Sequence, residues 1–154
     1  KFGKVVVVRG TLPTTPRTVA GERRMGSGQL RYWSLCETEA VVTGATNYCV
    51  DDEGVVTDRH GNYTVVVSRR RDRPRTADAA HGFTWLQWST SGDGDLDRDW
   101  GRLVVRNMLP LTSFRRSIQK THTAGDEKAV LGPYLPTVKH VKDAATFDRT
   151  YGRH

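Results

Sequence analysis

Residues 4–9 read KVVVVR and residues 62–68 read NYTVVVS, and these two stretches decide the fold class. Runs of β-branched side chains that end at charged or small residues predict strands. The first run, with four consecutive valines, predicts a buried strand. The second run follows a polar turn, DRHG at 58–61, and the short run VVT at 55–57. This arrangement predicts a β-hairpin.

Further strand-forming stretches lie on either side of these two and are separated by turns. In residues 28–37, alternation places Arg31, Trp33 and Leu35 on one side of a strand and Leu30, Tyr32, Ser34 and Cys36 on the other. Large groups on both faces are typical of a strand inside a sandwich. Further strands are predicted at 39–43, 48–51, 83–88 and 103–109, and loops at 11–25 and 89–101. Residues 1–110 therefore predict an antiparallel β-sandwich or jelly roll.

Residues 111–154 have a different character and are predicted to form a C-terminal extension. Thr112 or Ser113 could begin a short helix, and the pattern at 143–151 predicts a last helix that ends at Gly152. The stretch LGPYLP at 131–136 is apolar but has no helix or strand period. Such a segment is stable only on an apolar surface. We expect the segment to pack on the sandwich of its own chain. The alternative is that it packs on a neighbouring subunit, which would make the protein a homo-oligomer.

Composition excludes several classes of protein. There are 24 Lys and Arg against 17 Asp and Glu, for a formal charge of +7. The longest apolar run, at 5–8, is far shorter than the roughly 20 residues that span a bilayer, so no membrane span is expected. Clustered valines and tryptophans argue against full disorder. The first residue is Lys1 rather than Met, which predicts a segment upstream.

The two cysteines, Cys36 and Cys49, both flank strand-like segments. Their sulfurs would meet if the two segments were neighbouring strands. From the spacing alone, a disulfide and a pair of buried thiols are equally good interpretations. A zinc site is disfavoured, because no histidine lies two to four residues from either cysteine.

The order of several motifs along the chain supports a further expectation. These motifs are residues 12–18, 31–36, 58–65, 72–74, 83–86 and 106–110. In them the chain resembles uncharacterised actinobacterial secreted or envelope proteins, which are similar to the C-terminal jelly-roll domain of bacterial two-part proteins of unknown function. The resemblance implies an antiparallel β-sandwich of jelly-roll type, a secreted or cell-envelope location and an upstream region, and it favours the disulfide. It implies no activity and no catalytic residue.

Two of the four tryptophans flank the loop at 89–101 and are candidate glycan-binding platforms. An aromatic ring face can stack on the apolar C–H surface of a sugar, and Trp88 and Trp100 are the better placed for it. Partial burial by ordinary packing is the alternative for this pair. Trp33 and Trp85 lie within predicted strands, where core packing is expected.

A cluster of arginines is the second candidate binding site. Arginine forks suit phosphate and carboxylate groups, so an anionic polymer or nucleic acid is a candidate partner. A solvated basic loop is the alternative, because no nucleic-acid-binding motif accompanies the cluster. The candidate residues are Arg69, Arg70, Arg71, Arg73 and Arg75.

The same loop that Trp88 and Trp100 flank carries carboxylates at every second residue. Calcium takes six to eight oxygen ligands, and alternating aspartates supply several. The EF-hand pattern fails here, because Arg98 replaces the required glycine and Val104 the required glutamate. The candidate calcium ligands are Asp93, Asp95, Asp97 and Asp99, and the alternative is a solvated acidic loop whose charges are offset by Arg98 and Arg102.

The leading functional hypothesis is an exported bacterial binding or structural module without catalytic activity. The first alternative is a hydrolase that acts on carbohydrate or another polymer, and the second is an anionic-polymer or nucleic-acid binder that uses the arginine loop. For the hydrolase, the pattern selects no pair among the candidate carboxylates. Those candidates are Glu37, Glu39, Asp51, Asp52 and Glu53.

Overall fold

The chain folds into strands with two short helices in a computed structural model that describes residues 3–26 and 28–152. Lys1 and the predicted upstream segment lie outside these residues. The described strands are β1 (Val5–Thr11), β2 (Tyr32–Thr38), β3 (Thr46–Asp51), β4 (Asn62–Ser68), β5 (Thr84–Gln87), β6 (Arg102–Met108) and β7 (Thr137–Val141). The described α-helices are α1 (Glu127–Leu131) and α2 (Ala144–Tyr151).

The strands form two sheets. The larger sheet has the order β5-β4-β1-β7 and the smaller has the order β3-β2-β6. This architecture confirms the predicted all-β sandwich. Strand pairing is antiparallel except between β4 and β5, which run parallel. That pair departs from the expected antiparallel pattern, because residues 69–83 cross over the sheet instead of closing a hairpin.

The inner faces of the two sheets enclose the main core. Trp33 and Leu35 of β2 lie fully buried against Val65 and Val67 of β4, as the alternation in residues 28–37 predicts. The Trp33 ring lies 5.0 Å from the Tyr63 ring, centroid to centroid. Predicted core packing is therefore confirmed for Trp33.

The outer face of the larger sheet is also buried, which explains the unbroken valine run. Val6 and Val8 face the smaller sheet, whereas Val5 and Val7 belong to a second core on the opposite face. Helix α2 covers this second core with Phe147, which is fully buried and lies 5.3 Å from the ring of Phe83. A strand covered on both faces needs apolar side chains at every position.

Helix α2 begins and ends where the sequence predicts. The Asp143 side chain accepts a hydrogen bond of 2.8 Å from the backbone N–H of Thr146, which is the expected N-cap contact. Gly152 follows the last helical residue. The apolar segment 131–136 packs on its own sandwich, where Leu131 is buried and Tyr134 contacts Phe114. Strand β7, in the same C-terminal part, was not predicted.

Two local predictions are wrong, and a third is met only in part. Residues 55–57 pair with β4 through a single antiparallel bridge, Thr57 to Tyr63, because β5 takes the rest of that edge of β4, from Val65 to Ser68. Residues 41–43 form a turn rather than a strand. The helix predicted to begin at Thr112 or Ser113 is absent from the described residues around it. A 3₁₀ turn at Ile118–Lys120 follows, whose first N–H bonds to the Asn107 side chain of β6.

The disulfide prediction is confirmed. Cys36 and Cys49 lie directly opposite each other on β2 and β3, and their sulfurs are bonded. Arg106 of β6 donates a hydrogen bond of 3.2 Å to the Cys36 sulfur. The disulfide thus joins two neighbouring strands on the face of the smaller sheet that points away from the core.

Replacing both cysteines by alanine should lower the free energy of unfolding by about 3 kcal/mol, because the bond restricts the unfolded chain. Urea unfolding followed by tryptophan fluorescence measures the change. Unmodified protein in reductant should show a similar loss. Two titratable thiols in denatured, unreduced protein would contradict the assignment.

Candidate functional site

A cleft of about 560 Å³ opens at one end of the sandwich, where β1 begins, β4 ends and β6 begins. Side chains from distant parts of the chain meet there. They include members of three separate predicted sites: both candidate tryptophans, two arginines of the cluster and one calcium candidate, Asp99. The lining residues that matter below are Arg69, Arg71, Asp72, Trp88, Asp99 and Trp100.

The two tryptophans form different parts of the cleft. Trp88 directly follows β5 and packs partly into the main core. Its ring lies so close to Gly101 that a β-carbon there would be 2.8 Å from the ring, so only glycine fits without movement. Trp100 is 47% exposed and leaves ring surface open to solvent. Trp88 is thus a fixed wall, and Trp100 is an accessible platform.

The charged groups of the cleft are paired with one another. Arg69 Nη2 lies 2.9 Å from Asp99 Oδ1 and also donates to the backbone carbonyl of Arg98. The Asp72 carboxylate pairs with two cations, since Oδ1 lies 3.5 Å from Lys4 Nζ and Oδ2 lies 3.5 Å from Arg71 Nε. Such pairs present donors and acceptors side by side at the cleft surface.

The other arginines of the cluster lie outside the cleft. Arg73 lies over the Trp85 ring, with 4.5 Å from the guanidinium carbon to the ring centroid, and donates to the Ala77 carbonyl. Arg75 pairs with Asp148 of α2. Arg70 is exposed in a 3₁₀ turn. The crossover between β4 and β5 therefore directs its arginines to different neighbours, and only Arg69 and Arg71 line the cleft.

The aspartates of the loop before β6 mainly hold the loop itself together. Asp93 Oδ1 accepts the backbone N–H groups of Asp95 and Asp97, at 2.7 and 3.0 Å. Asp97 Oδ1 accepts the N–H of Asp99. Within residues 3–26 and 28–152, no group of three or more His, Cys, Asp or Glu side chains is placed to hold a metal ion. The structure thus lends the calcium prediction no support.

A buried carboxyl lies beside the cleft wall. Glu37 of β2 is fully buried, and a β-carbon on Gly101 would lie 3.3 Å from its Oε1. Neither oxygen of Glu37 has a hydrogen bond of ordinary geometry in the described part of the chain. Burial therefore raises the pKa of Glu37 and the charge of Glu39 adds to the rise, while polar groups of Asn47 and Ser89 partly offset it.

Sequence reasoning had a signal for Glu37 but no means to place the cleft. Glu37 shares its face of β2 with Trp33 and Leu35, so the two-residue period already directs it inward. Lys4 and Asp72 enter the cleft only because β1 and β4 pair in the observed register.

The remaining hydrolase candidates have structural roles. Asp52 accepts the backbone N–H of Trp33 at 3.0 Å, and Glu53 accepts that of Val19 at 2.6 Å. Asp51 accepts the N–H of Gly54 in the turn after β3. Glu39 accepts the Ser91 hydroxyl at 2.6 Å, which lowers its pKa. None of these four lines the cleft.

Comparison with protein-family models, with curated proteins and with solved structures finds no match to this chain. In the described residues, no helix has the length and apolar character needed to cross a membrane.

Glu37→Gln should make the protein more stable than the unmodified chain at neutral pH. The folded pKa of Glu37 is raised, so its stabilising contribution is complete below the unfolded pKa and is lost as pH rises through the folded pKa. Glutamine cannot ionise and avoids that loss. Urea unfolding from acid to neutral pH measures the difference.

Glu39→Gln is the matched control and should show the opposite slope. The folded pKa of Glu39 is lowered, chiefly by the Ser91 hydroxyl, so its contribution is present above the unfolded pKa and lost in acid. A Glu37→Gln protein less stable than the unmodified chain at neutral pH would mean that the buried carboxyl has a stabilising partner.

Proposed function

We propose that this chain is a non-catalytic binding module that recognises a sugar chain in the cleft between Trp88 and Trp100. The observation that carries the proposal is the meeting, in one cleft, of aromatic surface and paired Arg and Asp side chains. Apolar walls with a few convergent polar groups are the usual composition of a small-ligand site. Sugar rings match both parts, since their C–H faces stack on tryptophan and their hydroxyls both donate and accept hydrogen bonds.

The charge balance favours a sugar over a polyanion. Three cationic side chains, Lys4, Arg69 and Arg71, face two carboxylates, Asp72 and Asp99, which leaves an excess of one positive charge among these five groups. A phosphate chain would have to displace both carboxylates and would also meet the aspartates of the neighbouring loop. A neutral or singly charged sugar can use the pairs as they stand.

Binding, rather than hydrolysis, is favoured by where the carboxyl groups lie. A glycosidase of the usual kind needs two carboxyl groups on either side of the scissile bond. The two carboxylates lining this cleft are ion-paired with cations. Glu37, whose raised pKa would suit an acid, is fully buried and does not line the cleft.

We also propose that the module works outside the cytoplasm, as a secreted or envelope protein. A disulfide between neighbouring strands persists in oxidising compartments and is rare where thiols are kept reduced. The jelly-roll topology implied by the sequence resemblance belongs to the same hypothesis, and the two-sheet sandwich is compatible with that part of it.

Trp100→Ala should weaken binding of a neutral or uronic-acid oligosaccharide by about tenfold, the usual effect of removing a central aromatic contact. Titration calorimetry against an oligosaccharide panel and a single-stranded DNA oligonucleotide measures it. The matched control is Tyr48→Ala, because Tyr48 is a similarly exposed aromatic outside the cleft and should leave affinity unchanged.

The salt dependence of the binding affinity distinguishes a sugar ligand from a polyanion. Sugar binding should change little with salt, because Arg69 and Arg71 are already paired, whereas a polyanion releases counterions and weakens steeply. Arg71→Ala should reduce sugar affinity, and Arg23→Ala/Arg24→Ala should not, since neither lines the cleft. Tighter binding to DNA than to every sugar, with a steep salt slope, would move the function to polyanion recognition.

A further inference from the structure

A second surface, at the far end of β6, combines exposed aliphatic side chains with positive charge that is not held in ion pairs. Residues 107–125 contain three Lys or Arg, namely Arg115, Arg116 and Lys120, and no Asp or Glu. None of the ion pairs in residues 3–26 and 28–152 involves these three. The nearest carboxylates along the chain are Asp126 and Glu127, where α1 begins.

The aliphatic residues are gathered at one corner. Met108 ends β6 and Leu109 follows it, and they are 50% and 71% exposed. The chain then returns to Asn107, whose side chain accepts the N–H of Ile118 and whose carbonyl accepts the Gln119 amide. The β6 corner, as we call it, consists of Met108, Leu109, Leu111 and Ile118.

The corner is held in place from beneath. Phe114 is buried and packs edge-on against Tyr134 at 5.3 Å. The N–H of Leu111 bonds to the carbonyl of Gln29. Leu109 has a φ of 47°, which is uncommon for leucine. These contacts fix the backbone of the β6 corner, so that its aliphatic side chains stay exposed to solvent.

We propose that the β6 corner docks onto an anionic lipid bilayer. Shallow insertion of aliphatic side chains together with attraction of Lys and Arg to anionic headgroups is the usual physics of peripheral attachment. The corner supplies both parts within one short segment. The proposal is independent of the sugar cleft, which lies where β6 begins rather than where it ends.

Charge complementarity favours lipid over other occupants. A nucleic acid would use the cations but leave the four aliphatic side chains without a role. A second copy of this chain would place Arg115 and Arg116 against the same cations of its partner in a two-fold contact, where like charges repel. An anionic bilayer satisfies both the aliphatic and the cationic groups.

Co-sedimentation of the full chain with vesicles of phosphatidylcholine, with and without phosphatidylglycerol, tests the proposal. We expect binding to the anionic vesicles that weakens with salt. Arg115→Ala/Arg116→Ala should reduce it by roughly twentyfold, since each basic residue near such a surface contributes about fivefold. Leu109→Ser/Leu111→Ser should reduce it by about tenfold or more.

Matched controls change the same chemistry elsewhere. Val41→Ser/Val42→Ser alters two exposed aliphatic residues beyond the other end of β2, and Lys139→Ala/Arg149→Ala removes two charges from β7 and α2. Both should bind like the unmodified chain. Equal losses in the controls, equal binding to neutral vesicles, no binding at all, or self-association abolished by Leu109→Ser/Leu111→Ser would each overturn the proposal.

Discussion

The structure depends on burying both faces of β1. This strand lies at the centre of the larger sheet, between β4 and β7, with one face against the smaller sheet and the other under α2 and Phe83. Tyr63 packs so closely that a β-carbon on Gly10 would lie 2.6 Å from its hydroxyl. Because burial of apolar surface is the main favourable term in folding, β1 organises two cores at once.

That constraint explains how much of the fold the sequence predicts. Strand runs with a clear two-residue period or an unbroken valine run are found where expected, and so are α2 and the Asp143 cap. The failures lie where partners are distant in sequence. Residues 55–57 could not be recognised as a single bridge, because the rest of that edge of β4 pairs with β5, which comes only after the crossover at 69–83. β7 has one buried residue, Val141, so its own pattern carries little signal.

The candidate site could likewise be predicted only in part: the sequence indicates its residue types, whereas their meeting depends on contacts between distant segments. Residue type identified Trp88, Trp100, Arg69, Arg71 and Asp99 as candidates, but as members of three separate sites. Their meeting depends on the parallel β4–β5 pair, which brings the start of the arginine crossover and the end of β5 to the same end of the sheet. Buried Glu37 beside Gly101 adds a group whose charge state is sensitive to pH, next to a wall formed by a rigid aromatic ring.

The pairing of β1 with β7 also sets an order of events during synthesis. Thr137 bonds to the carbonyl of Arg9 across 128 residues. At about 5–20 residues per second, the ribosome needs roughly 6 to 25 s to make the chain between them. Throughout that interval the valine run has an open edge, and α2 has not yet been made to cover its outer face. A nascent chain in this state is prone to aggregate, so its handling by chaperones matters most before residues 137–154 have been made.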